Sequence, residues 1–177
     1  MKCKYLVVIT VLMIVYPLVT YAYVWRFQRI NGLPGWMQIR TVELKRSEIV
    51  KDYVNLIITL YESFPTVKVE YSLKVYLNSD GNVSSGDPHS NGADILLYFS
   101  KKLSCKDVNV VGYSLLYYYD EDISSFNFSH YSRIAYMVAN ATTLLFTLPL
   151  DIFRIEKLNE SLTVTYLRVT YEHRYSP

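Results

Sequence analysis

Two periodicities divide the first half of the chain. From Val50 to Phe64, apolar side chains recur at Val50, Tyr53, Val54, Ile57, Leu60, Tyr61 and Phe64, the stripe of a 3.6-residue repeat. Lys51, Asp52, Asn55, Thr59 and Glu62 fall on the opposite face. Ser47 stands where a capping hydroxyl meets free backbone N–H groups, and Glu48 sits at the positive end of the helix dipole. Pro65 ends the segment, because proline disfavours helical geometry in the residue before it. The spacing therefore predicts an amphipathic helix from Ser47 to Phe64. The pattern then changes to strict alternation. Val67, Val69, Tyr71, Leu73, Val75 and Leu77 share one face, with Lys68, Glu70, Ser72 and Lys74 on the other, as in a strand buried on one side. Asp80-Gly81 opens a turn, and Ala93 to Phe99, apolar on both faces, reads as a central return strand.

The flanking segments are less regular. Asn31-Gly32-Leu33-Pro34-Gly35 is a turn cluster, and Trp36 to Leu44 alternates loosely as a first strand. Ser79 to Gly92 is a polar loop, read as mobile. Val108 to Tyr119 is a further strand in which Gly112 marks a candidate bulge. Asp120-Glu121-Asp122 follows; it lacks the spaced ligands and glycine of a calcium loop and reads as a solvated turn. Ser129 is placed to cap a second helix carrying Tyr131, Ile134, Ala135 and Val138. Ala141 to Leu148 fits that helix or a strand ended by Pro149. Leu162, Val164 and Tyr166 alternate, then the apolar phase passes to Leu167, Val169 and Tyr171, a bulge signature near Tyr166.

The N-terminus changes the picture. Lys2 and Lys4 precede an apolar run from Tyr5 to Trp25, and Arg26 and Arg29 follow it, so flanking charge does not orient the run. Leu18-Val19-Thr20-Tyr21-Ala22 resembles the region before a signal-peptidase site, with cleavage between Ala22 and Tyr23. The run is also long enough for a bilayer span, so residues 1–22 read as a signal peptide or a retained signal anchor. Residues 23–35 form an arm or linker, and 36–177 a single extracellular domain. Membrane attachment would run through residues 5–25. Asn82, Asn127, Asn140 and Asn159 each begin an Asn-x-Ser/Thr acceptor triplet, which suits a chain in the secretory pathway. Asn82 lies in a loop; Asn140 falls where the second helix is expected.

Of the two cysteines, Cys3 lies in the leader, so the remaining chain has the single thiol of Cys105. It is either buried and inert or bonded to another chain. The formal charge is +2, without basic blocks, which argues against nucleic-acid binding. The 18 tyrosines suit half-buried strands, or a tyrosine-rich binding surface.

The order strand, helix, strand, turn, strand, helix, strand is that of a ferredoxin-like α+β sandwich, an antiparallel sheet with two helices on one face. Ile39-Arg40-Thr41-Val42-Glu43-Leu44, the helix from Ser47 to Phe64, Val69 to Leu77 and Gly92 to Phe99 together resemble the SEA domain. This extracellular module of mucins and membrane-tethered serine proteases is matched mainly over residues 36–100. The resemblance implies an extracellular module. The self-cleaving Gly-Ser bond of many such domains is replaced by Gly92-Ala93, which has no hydroxyl to attack.

No catalytic residues, metal ligands or cofactor are expected. His89, His130 and His173 are dispersed and lack nucleophile or zinc motifs, and Glu70 and Asp94 read as solvated carboxylates. The function expected is that of a secreted or membrane-tethered glycoprotein acting by binding or surface coverage, its partner an extracellular protein or glycan. The candidate contact regions are the Asn82 loop and Tyr113 to Tyr119. The alternative is a secreted cystatin-like inhibitor or immune-modulating ligand, in which a helix is wrapped by a sheet.

Overall fold

Alternation prevails over helical spacing along most of the chain. The computed structural model describes residues 22–50, 52–80, 82–128, 134–153 and 166–174. Its strands are Ala22–Arg26 (β1), Ile39–Arg46 (β2), Tyr53–Leu60 (β3), Val69–Asn78 (β4), Ile95–Leu103 (β5), Val111–Asp120 (β6), Ser125–Phe128 (β7), Ile134–Asn140 (β8), Thr143–Pro149 (β9) and Tyr166–Arg174 (β10). Helical geometry among these residues is confined to single 3-10 turns at Gly35–Met37, Pro88–Ser90 and Leu150–Phe153.

All pairings are antiparallel, in the order β1-β2-β3-β9-β8-β6-β5-β4-β10, with β7 also on β6. The sheet curls into a half-barrel. Strand β6 is the joint between its halves. Val111 to Ser114 pair with β8, whereas Leu115 to Tyr118 pair with β5. The α+β sandwich with two helices on one face, whether ferredoxin-like or SEA-like, is therefore corrected to a mostly antiparallel β-fold.

The first expected helix is β3. Its inward residues Val54, Leu56, Ile58 and Leu60 are buried, whereas Tyr53, Asn55, Ile57 and Thr59 are half-buried on the other face. A helix stripe through Tyr53, Val54 and Ile57 leaves Leu56 and Ile58 off the apolar face. The period of two buries both completely. Ser47 does act as a cap, but of a turn. Its hydroxyl accepts from the N–H groups of Ile49 and Val50 at 3.3 and 3.1 Å, and its own N–H donates to the Tyr53 carbonyl. The capping signature thus closes the β2–β3 connection.

The second expected helix falls partly outside the described residues; the rest of it is β8, with Ile134, Tyr136 and Val138 buried and Ala135 and Met137 turned outward. Gly112 is a paired residue opposite Tyr136, in register. A Cβ there would lie 2.7 Å from the Tyr136 hydroxyl and 2.8 Å from its ring, so glycine admits the ring over the strand.

One core runs through both halves. Leu44, Leu56, Phe146 and Tyr136 form a cross-strand row in one half, and Val75, Leu97 and Leu116 in the other. Phe99 joins them, with its ring 4.8 Å from Tyr136 and 5.7 Å from Phe146, both edge-on. The Leu150–Phe153 turn closes against β6 through a bond from the Tyr118 hydroxyl to the Ile152 carbonyl at 3.1 Å.

Candidate functional site

The outward face of the β4–β7 half collects aromatic side chains. Alternation turns Tyr76, Leu96, Tyr98, Tyr117 and Tyr119 away from the core and leaves each half-buried. Register aligns Tyr76, Leu96 and Tyr117 in one row and sets Phe126 opposite Tyr119. The Phe126 ring meets Tyr119 at 5.3 Å and Tyr76 at 5.8 Å, edge-on in both cases. These edge contacts hold the rings as a shelf at small entropic expense, since each has only two rotatable side-chain bonds. Burial raises the Tyr117 phenol above its ordinary value, and the neighbouring Tyr98 adds to this. Tyr113, at the start of the same strand, is 63 % exposed and lies beyond the shelf, across from Ala135.

The loop after β4 borders this shelf. Several of its polar side chains bond the loop to itself. Asp94 is 5 % exposed and accepts from the Ser79 N–H at 2.8 Å and from the Ser79 hydroxyl. Asn78 donates to the carbonyls of Asn82 and Asn91, and Asp80 accepts from the Asn82 N–H and the Ser85 hydroxyl. Gly92 has φ +72°, and a Cβ there would meet the Asn82 and Ser85 carbonyl oxygens at 2.5 and 2.6 Å. Asp94, read from the sequence as solvated, is thus a buried anchor. Glu70 lies opposite Lys102, as a surface pair would.

Three of the four glycosylation acceptors are described, and all three are exposed: Asn82 in the loop, Asn127 on β7 and Asn140 at the end of β8. Asn140, expected in a helix, instead begins a turn in which its side-chain oxygen accepts from the Thr142 N–H and hydroxyl. Asn159 lies outside the described residues. So do residues 1–21 of the expected signal peptide or anchor; Ala22 and Tyr23, the expected cleavage pair, fall in β1. Among the described residues no helix is long and apolar enough to cross a membrane.

Cys105 is half-buried in the turn after β5, with its N–H on the Pro65 carbonyl at 2.8 Å. The same turn is pinned by Asp107, which accepts from the Ser104 hydroxyl at 2.9 Å and N–H at 2.7 Å. These bonds hold the Asp107 carboxyl below its ordinary 3.8, burial opposes them, and Lys68 adds a smaller lowering. A carboxylate depressed in the folded state stabilises it fully above the unfolded value, and this is lost as pH falls through the folded value. The Asp107 side-chain resonance should accordingly titrate with a midpoint below 3.8; a midpoint at or above it would show the Ser104 bonds to be absent in solution.

Of the dispersed histidines, His89 is exposed in the loop, His130 lies outside the described residues and His173 falls in β10. Among the described residues no group of three or more His, Cys, Asp or Glu side chains is gathered for a metal. The Asp120-Glu121-Asp122 run forms the β6–β7 turn, where Asp120 accepts from the Asp122 N–H and the Asn127 side chain.

A second feature, without a local sequence motif, is an open depression of about 710 Å³ beside β1 and β2, lined by Arg26, Arg29, Arg40, Thr41, Thr59 and Tyr61 among others. Arg26 and Arg29 are close in sequence, and pairing of β1 with β2 brings Arg40 to the same lining. Comparison with protein families, curated proteins and solved structures finds no match for the chain.

Proposed function

We propose that the protein is a secreted or membrane-tethered glycoprotein that acts by binding, without catalysis, through the aromatic shelf of Tyr76, Tyr98, Tyr117, Tyr119 and Phe126. The observation that carries this reading is a group of half-buried rings on the face turned away from the core, with Phe126 in edge contact with Tyr76 and Tyr119. Aromatic side chains on a rigid sheet combine apolar contact area with polar tips and lose little entropy on binding, properties enriched at recognition surfaces. Exposure of the acceptors at Asn82, Asn127 and Asn140 supports passage through the secretory pathway. The ligand class favoured is an extracellular glycan, whose flat apolar ring faces suit stacking on phenol rings. The inhibitor alternative drew on a helix wrapped by a sheet. The segment in question is β3, so no observation favours it.

The test is an array of immobilised glycans probed with the full chain, wild type against Tyr117→Ala/Tyr119→Ala. Both side chains are half-buried on the outward face, so the variant should remain folded, which circular dichroism checks. Binding to at least one glycan class, weakened about tenfold or more in the variant, is the expected result. Binding unchanged by the two substitutions would remove the shelf as the site, and binding to no member would remove the glycan as ligand.

A further inference from the structure

We infer that the depression beside β1 and β2 is a binding site for a phosphate- or sulfate-type oxyanion, separate from the aromatic shelf. The argument begins in the backbone. The β2–β3 register shifts between Ile39 and Thr41, so Arg40 and Thr41 both turn outward while Ile39 and Val42 stay buried. A bulge of this kind re-aims a side chain that regular pleating would send to the core. Strand β1 then sets Arg26 opposite Thr41, and the Phe27 N–H bonds to the Arg40 carbonyl at 3.0 Å. Two exposed guanidinium groups, 14 positions apart in sequence, are brought to one corner of the sheet. The half-buried Thr41 and Thr59, paired across β2 and β3, add hydroxyls to the same lining.

The local charge is unbalanced. Arg29, which lines the depression, is bridged to Glu62 and stands over the Tyr61 ring at 6.0 Å. Glu62 is further engaged by the Gly35 N–H at 3.1 Å. The other nearby carboxylate, Glu43, is 3.8 Å from Lys45. Arg26 and Arg40 have no carboxylate partner among the described residues. Three arginines against one glutamate leave an excess of two positive charges around an open, hydroxyl-lined hollow. Guanidinium forks match the several oxygens of a tetrahedral oxyanion and bind it by charge-assisted bonds. The strand carrying Arg26 follows directly on the apolar Tyr5–Tyr21 segment, so a lipid headgroup and a free anion are both sources of the same chemistry.

The experiment has two arms, each on the full chain: titration with inorganic phosphate followed by NMR, and co-sedimentation with phosphatidylcholine vesicles with and without phosphatidylglycerol. Arg26→Ala/Arg40→Ala is compared with Lys101→Ala/Lys102→Ala, which removes the same charge from the exposed end of β5. The expected result is saturable binding in at least one arm, weakened about tenfold or more by the arginine pair and little by the lysine pair. Phosphate binding identifies a free oxyanion, whereas binding only to acidic vesicles identifies the lipid headgroup. Equal weakening by both pairs, no weakening by either, or no binding in both arms would overturn the site. The glycan-array outcome for the shelf is independent of all of these.

Discussion

Replacing Phe99 with alanine is expected to cost about 3–5 kcal/mol, a large share of the about 5–15 kcal/mol that holds a typical domain folded. Phe99 is 1 % exposed and is the side chain through which β5, on one side of the β6 joint, meets β8 and β9 on the other. Truncation removes the ring contacts with both Tyr136 and Phe146 and leaves a cavity between sheet halves that cannot slide together without breaking register. Urea unfolding of the variant against wild type measures the effect. The outward neighbour Tyr98→Ala serves as the control and should lose well under half as much. A Phe99→Ala loss below about 1 kcal/mol would mean that the two halves do not share a core.

Asp94→Ala should be the next most damaging change, at about 2–3 kcal/mol. It removes the acceptor for both the N–H and the hydroxyl of buried Ser79 and leaves those donors without their bonds. Asp94→Asn keeps an oxygen for the Ser79 N–H and is expected to recover part of the loss. Hydrogen exchange adds a local readout, since the amides of Ser79 and Gly92 should lose protection before those of β3. If Asp94→Ala melts like wild type, the loop does not depend on this anchor.

How much of this could be read from the residues follows from which patterns are one-sided. The stretch later found as β4 alternates without competition and was recognised, although Val67, included in its face, is 64 % exposed and precedes the strand. Strand β5 was likewise expected to be central, and it lies between β4 and β6. Strand β3 satisfies both periods at once. Val54 and Leu60 belong to either, and the capping serine and the proline gave the helix its boundaries. The β-branched run Ile57-Ile58-Thr59 was the signal for a strand, and Leu56 with Ile58 was the deciding pair. Strand β1 was hidden because Ala22 to Trp25 continue the apolar N-terminal run without a break in composition.

The functional regions divide in the same way. The tyrosines of β6 were singled out as a surface, and alternation explains why Tyr117 and Tyr119 share it while Tyr118 turns inward to Ile152. Their partners Tyr76 and Phe126 depend on long-range register, which no local pattern encodes. The arginine corner was missed for that reason as well. One local trace of it exists: apolar residues at Ile39, Val42 and Leu44 break a period of two, and the phase slip marks Arg40 as the residue turned outward.

Every assignment of a side chain to the shelf or to the core rests on the register of the curled sheet, and β3 is its most exacting strand. The most direct measurement is a set of backbone NOEs on the folded chain. Cross-strand contacts between residues 53–59 and 143–149, with Ile57 opposite Leu145, are expected. Unbroken sequential amide–amide contacts from Val50 to Phe64, with contacts three residues apart and none to Leu145, would contradict the register and the face assigned to each residue above.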